Sequence, residues 1–272
     1  MPPSTAVMQQ HAAEAPGLRA KKTKWRLTFI FTSVAVLYAL SLLYTNASLA
    51  DLIAGIPTIL AMFGQLFPPN WGYALEAWFW LAQTIQMAII ASTVAAVICI
   101  PVSLMASSNI MENRVLHHTT KQLMNILRTI PDLLLAVIFV GLFGIGVFSG
   151  ILALIIFSLG ILAKLLAETI EAIDSEPLDA IRASGGNTLQ VIAYGVIPQI
   201  LPQYTSFSLY VFEINVRASL VLGFVGAGGI GQLLQRSISF MDYDRTMMII
   251  FIIFLAVVLI EYVSGKIREA IL

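Results

Sequence analysis

Cysteine occurs once in this chain of 272 residues, histidine three times, and charged residues make up only 11% of it. A single thiol, Cys99, excludes an internal disulfide framework and a thiolate metal cluster. The histidines are His11 and the adjacent pair His117 and His118. None falls in an HExxH pattern and no acidic pair sits within an apolar run, so a zinc hydrolase or an intramembrane protease lacks its ligands. A phosphate-binding P-loop is missing as well: Gly265-Lys266 is followed by Ile267 and has no upstream glycine at the required spacing. Fifteen basic residues balance fifteen acidic ones, which leaves no global field to attract nucleic acid.

What is abundant is apolar: 58% of the residues, with a mean hydropathy of +0.88, whereas about 25% of a soluble domain is charged. Backbone polar groups cannot be left unpaired in lipid, so crossing roughly 30 Å of hydrocarbon takes about twenty helical residues. The expected fold is an all-α polytopic bundle of about six transmembrane helices, at residues 27–45, 75–104, 124–143, 149–168, 200–222 and 243–263. The charge-free run between Asp132 and Lys164 is longer than one span and shorter than two. Its glycines at 141, 144, 146 and 150 suggest two helices with a tight re-entry. Pro101 and Pro131 suggest kinks. Cys99 reads as lipid-facing or packed filler.

Residues 1–24 are polar and are expected to form a disordered cytoplasmic tail. The apolar run after them resembles a signal peptide, but tail and run are both too long, so it reads as an uncleaved first span. Residues 25–272 then form one membrane domain. Residues 49–67 show helical apolar spacing but include Asp51, Pro57 and Gln65, which suits a helix in the outer interface. Trp71, Tyr73, Trp78 and Trp80 mark the next membrane boundary.

Lys and Arg concentrate in short cytoplasmic loops. With six spans and the amino end inside, the inner face holds Arg19, Lys21, Lys22, Lys24, Arg26, Arg114, Lys121, Arg128, Lys164, Arg182, Lys266 and Arg268, twelve of the fifteen basic residues. Arg236 and Arg245 fall outside, Arg217 lies in a span, and residues 46–73 have no basic residue. The expected location is a bacterial inner membrane, crossed several times, with a cytoplasmic amino terminus.

The longest polar insertion, residues 171–198, carries its own helix punctuation. Pro177 can open a short helix and Gly185 can close it in a left-handed conformation. Asn187 with Gln190 three residues later resembles a capping box for a second helix, expected to stop before Pro198. Asp179-Ala180-Ile181, three residues, Gly185, nine residues, then Gly195-Val196-Ile197-Pro198 resembles the EAA motif of ABC-importer permeases, EAA-x3-G-x9-I-x-L-P. Asp179, Ile181, Gly195 and Ile197 depart from that pattern, while the spacing, the glycine and the proline are kept. A narrower resemblance covers RTIPDLLLAVIFVGLFGIG at 128–146, AIRASGGNTLQVIAYGVIPQILPQ at 180–203 and FEINVRASLVLGFVGAGGIGQLL at 212–234. Together these are similar to the phosphonate and phosphite permeases of type I bacterial ABC importers.

That resemblance implies a subunit without its own ATPase site, moving phosphonate, phosphite or phosphate. It implies a homodimer of permeases, two ATPase subunits that bind ATP and Mg, and a periplasmic substrate-binding protein. It gives Asp179, Ala180, Arg182, Gly185 and Pro198 the role of coupling to the ATPase. A permease for another small solute, or an intramembrane enzyme, is the alternative.

Two further groups stand out. Glu213 and Arg217 lie four residues apart on the fifth span with Asn215 between them, and charge at bilayer depth is expensive unless paired or wet. Either Arg217 offers its guanidinium to an oxyanion on the translocation path, or Glu213 and Arg217 form a structural ion pair. Gly226, Gly228 and Gly231 spell GxGxxG, but dinucleotide binding needs a βαβ unit, which is implausible between spans. With Gly229 they read as a helix break for close backbone approach or for N–H groups free to meet an anion, and as an outer gate.

Overall fold

The computed structural model describes residues 16–45 and 49–271, and among them there is helix and no strand. The chain divides into two units, residues 1–64 and 65–272. The first holds α1 (Pro16–Thr45) and most of α2 (Leu49–Leu66). Residues 1–15 of the expected tail lie outside the described residues. Residues 16–24, expected to be unstructured, are helical. Pro16 fits a first helical turn, and Leu18, Ala20, Lys21 and Lys22 are all good helix formers. The apolar side chains of α1, such as Phe29 and Phe31, are exposed, as suits a helix bathed in lipid.

The second unit contains α3 (Ala74–Ala106), α4 (Arg114–Thr129), α5 (Asp132–Phe143), α6 (Val147–Glu171), α7 (Glu176–Ala183), α8 (Ile197–Gly223), α9 (Gly229–Ser239) and α10 (Tyr243–Ile271). Helices α3 and α6 form its most extensive pairing. The buried face of α3 repeats small residues every three or four positions from its middle onward, at Ala88, Ala91, Ala95, Cys99, Ser103 and Ala106. Such a stripe lets helix axes approach closely where lipid supplies no hydrophobic drive. Cys99 is therefore packed filler, buried among Leu162, Ala163 and Leu166 of α6.

Among the described residues, four helices are long and apolar enough to cross a membrane, Lys24–Thr45, Trp71–Ala106, Val147–Glu171 and Tyr243–Ile271, and the bent pair α4–α5 makes a fifth if it is one span. The six-span expectation needs two corrections. Residues 124–143 are not one straight span, because α4 and α5 meet at 90°. Pro131 forces its neighbour out of the helical region, and Ile130 is extended at φ −81° and ψ 120°. The twelve residues of α5 reach only about 18 Å. The expected re-entry does follow, through Gly144 to Gly146, where Gly144 has φ +88°. The second correction concerns α8, which is long enough but not apolar, carrying Gln199, Gln203, Glu213, Asn215 and Arg217. Of these, Glu213 and Asn215 are buried, and the helix packs against α3, α6, α9 and α10.

Candidate functional site: the polar loop and the charged cluster

The loop leaves α6 at Glu171, which is tied down twice: Ser108 N–H donates to its Oε1 at 3.0 Å and Lys121 Nζ pairs with it at 3.1 Å. Helix α7 then carries Glu176 and Asp179 in its first turn and Arg182 in its last, signs that complement the helix dipole. Leu178 is its buried residue. Leu178 and Ile181 rest on Gly195, where a Cβ would lie 3.2 Å and 3.3 Å from their terminal methyls. That contact gives a physical reason for glycine at one of the positions that depart from the EAA pattern.

The turn after α7 closes as a Schellman motif: Gly185 N–H donates to Arg182 O at 3.0 Å and Gly186 N–H to Ile181 O at 2.9 Å. Gly185 is left-handed at φ +85°. The capping box is present in both directions between Asn187 and Gln190. The second helix does not stop before Pro198. Thr188–Gln190 continues through a π-helical stretch, Val191–Val196, into α8, with Pro198 in its first turn. A proline there lacks an N–H that a first turn has no use for.

The loop is fixed to the bundle on both sides. Arg182 bonds Asp179 at 3.1 Å and donates to Asn109 O at 3.2 Å. Gln199 receives a bond from Asp174 N–H at 3.2 Å and donates to Gly195 O at 2.8 Å. Asp179, Ala180, Gly185 and Pro198 are exposed. A surface cleft of about 440 Å³ is lined by Ala180, Ile181, Ser184, Gly185, Gly186, Gln190 and Tyr194. Tyr194 and Leu189 stand exposed in the same loop, so the loop presents apolar side chains and a concavity on a rigid frame.

In α8, Glu213 is buried and is shared by two arginines. Arg217 pairs with its Oε1, while Arg268 of α10 donates to Oε2 at 3.1 Å. Arg217 also lies 3.7 Å from Glu261. The sequence suggested the first pairing; Glu261 and Arg268, on another helix far along the chain, gave no local signal. Glu261 is the first charged residue after the uncharged stretch 246–260 of α10, so the cluster is level with the end of that stretch. Asn215 faces elsewhere: it is fully buried and accepts a bond from Ser158 of α6 at 2.9 Å.

We expect Glu213→Ala to leave both guanidiniums without their shared carboxylate. Because Arg217 is half-exposed, the penalty is discounted to about 1–3 kcal/mol. A lowered melting midpoint of the detergent-extracted protein, with Asp at 213 falling between, checks it.

The glycine corner joins α8 to α9. Gly226, Gly228 and Gly229 have φ of +84°, +86° and +73°. Gly229 N–H donates to Gln83 Oε1 at 3.1 Å and Ile230 N–H to Thr84 Oγ1 at 2.7 Å. These donors are committed to α3, and Gly231 instead provides a close crossing, since a Cβ there would overlap the Leu220 carbonyl.

These elements define a multi-span helical membrane protein with one structured polar loop. Residues 99–267 match the family described as "Binding-protein-dependent transport system inner membrane component", and the chain belongs to that family. It is therefore a multi-pass inner-membrane transport subunit rather than an enzyme, and it works with a binding protein and an ATPase. It is 36% identical over 220 residues to the phosphite transport system permease protein PtxC of Stutzerimonas stutzeri, covering 80% of this chain and 79% of that one. It is 36% identical over 211 residues to the phosphate-import permease protein PhnE of Mycolicibacterium smegmatis, covering 77% of this chain and 40% of the longer relative. Among solved structures, the inward-facing MetNI methionine ABC transporter shares the fold, with TM-score 0.66 and 23% identity over 75% of this chain and 99% of the matched one.

Proposed function

We propose that this chain is the permease of an ABC importer for a phosphonate or a related phosphorus oxyanion, phosphite or phosphate. The observation that carries this reading is the similarity to PtxC across four-fifths of both chains. The amino terminus is cytoplasmic, in accord with the concentration of Lys and Arg on one side of the spans.

In this reading residues 171–198 face the cytoplasm and dock on the ATPase through the cleft beside Ala180 and Gly185. Asp179 and Arg182 keep α7 in place, and Pro198 starts the helix that carries its movement into the bundle. Two copies of the chain pair, each with one ATPase subunit that holds ATP and Mg, and a periplasmic binding protein delivers the solute. The cluster of Glu213, Arg217, Glu261 and Arg268 holds α8 to α10. Gly226, Gly228, Gly229 and Gly231 form the corner about which an outer gate opens.

The test is ATP-driven uptake by proteoliposomes holding the complete complex. Radiolabelled phosphite, methylphosphonate or phosphate should accumulate, competitively with one another. Accumulation of none of the three, with ATP hydrolysis stimulated by another solute on its binding protein, would exclude the reading.

A further inference from the structure

Among the residues from 24 onward whose side chains are described, four basic side chains meet neither a carboxylate, a hydrogen-bond acceptor nor an aromatic ring: Lys24, Arg26, Arg114 and Arg128. Lys24 and Arg26 precede the apolar run of α1, and Arg114 opens α4. Arg128 is in a different situation. Its N and Cα lie 3.2 Å and 3.4 Å from where a Cβ on Gly160 would stand, so the last turn of α4 is pressed onto the middle of α6. Gly160 belongs to the uncharged stretch 147–163 of that helix. Along α6 it is about 6 Å before Lys164 and about 16 Å from Glu171, at the loop end. The Arg128 side chain is nevertheless exposed on the surface of the unit.

An unpaired guanidinium facing hydrocarbon is unfavourable, and such groups face protein or a water-filled cavity. The other cations nearby are already engaged. Lys121 pairs with Glu171, Lys164 with Glu168 and Asn125, and Arg217 lies between Glu213 and Glu261. The sequence offered Arg217, inside an apolar run, either as an anion contact or as the partner of Glu213 in a structural ion pair. The structure neutralises it and leaves Arg128 as the cation at helical depth with its donors free.

We propose that Arg128 lines the translocation path and is the group that a tetrahedral phosphorus oxyanion meets inside the permease. Its planar fork of N–H donors matches two oxygens of such an anion. The packing on Gly160 fixes its backbone, and the 90° bend after it keeps α4 from continuing alongside α6. This inference rests on the phosphorus-oxyanion reading of the chain, and its test separates the two.

The experiment uses the complete complex in proteoliposomes with Arg128→Cys in this chain. The native thiol, Cys99, is buried, so the new thiol is the reactive one in this chain, and the unsubstituted complex treated with the same reagents accounts for thiols of the other subunits. Phosphate and phosphite uptake should fall at least about tenfold, the scale of losing one charge-assisted contact of about 1.4 kcal/mol, with the complex assembling in the same yield. A water-soluble aminoethyl methanethiosulfonate reagent, which restores a cation at position 128, should recover severalfold of the uptake, whereas neutral methyl methanethiosulfonate should not. Uptake within twofold of the unsubstituted complex, a thiol inert to both reagents, or equal recovery with the neutral reagent each overturns the assignment of Arg128. If the unsubstituted complex moves neither anion but imports another solute, the substrate reading falls. The labelling still decides whether position 128 faces water.

Discussion

Replacement of Gly231 by valine is expected to abolish accumulation of folded protein in the membrane. A Cβ at Gly231 would overlap the backbone carbonyl of Leu220, and one at Gly223 would stand 2.5 Å from the Gly231 carbonyl carbon. Both neighbours are backbone inside helices, so neither can swing aside as a flexible side chain would. Relief requires moving α9 off α8, which pulls Ile230 and Leu233 out of a core shared with Ala77 and Leu81 of α3 and Met248, Ile249 and Ile252 of α10. It also strains the bonds from Gly229 and Ile230 to Gln83 and Thr84. Overpacking alone costs about 1–3 kcal/mol, and separation of the core raises the sum to roughly 4 kcal/mol or more, against a total stability of about 5–15 kcal/mol. Size-exclusion profiles of detergent extracts read the outcome. Gly265→Val is the matched control, because no atom lies within 4 Å of a Cβ there. A Gly231→Val protein that accumulates and melts like the unsubstituted chain would mean that α8 and α9 do not cross at this point.

The glycines differ in what could be read of them from the sequence. Gly185 was legible because its signals are local: a proline-opened helix before it, a capping box after it, and a conformation that only a few residues tolerate. The re-entry at Gly144–Gly146 was legible from the length of an uncharged run, since neither one span nor two fits it. Close approach at Gly231 was legible from the run of glycines, but its partner Leu220 was not, and Gly195 was not legible as a packing site at all, because what each touches is set by tertiary contact. The same holds for Glu213. Its partner four residues away follows from helix geometry, but Arg268 is 55 residues distant. The bend within the expected span at 124–143 was missed because hydropathy averages across Ile130 and Pro131, where two helices meet at 90°. The apolar content of both was seen, and the direction of the chain was lost. Arg128 was consequently counted with the inner-face loops, although it packs on the middle of α6.

Replacing Gly185 by leucine should have the opposite signature, leaving the protein inserted and folded while ATP-driven uptake falls at least about tenfold. No neighbouring atom lies within 4 Å of a Cβ at Gly185, so a side chain meets no obstacle there. The cost is conformational, about 1–2 kcal/mol for holding an L-residue left-handed, too little to unfold a domain of ordinary stability. The cheapest escape is to open the Schellman turn, which frees Gly185 N–H and Gly186 N–H from Arg182 and Ile181 and lets α7 rotate against the π-helical stretch. Arg182 and Gln199 still tether the ends of the loop to Asn109 and Asp174, so its backbone stays near the bundle while the cleft beside Ala180 changes shape. Stimulation of ATP hydrolysis by the loaded binding protein should be lost together with uptake, and basal hydrolysis retained. Asparagine tolerates the left-handed region far better than leucine, so Gly185→Asn should keep most of the transport. If leucine is as active as glycine, the loop does not transmit motion through this turn. If asparagine fails as badly as leucine, bulk on the docking surface rather than backbone conformation is what the position excludes.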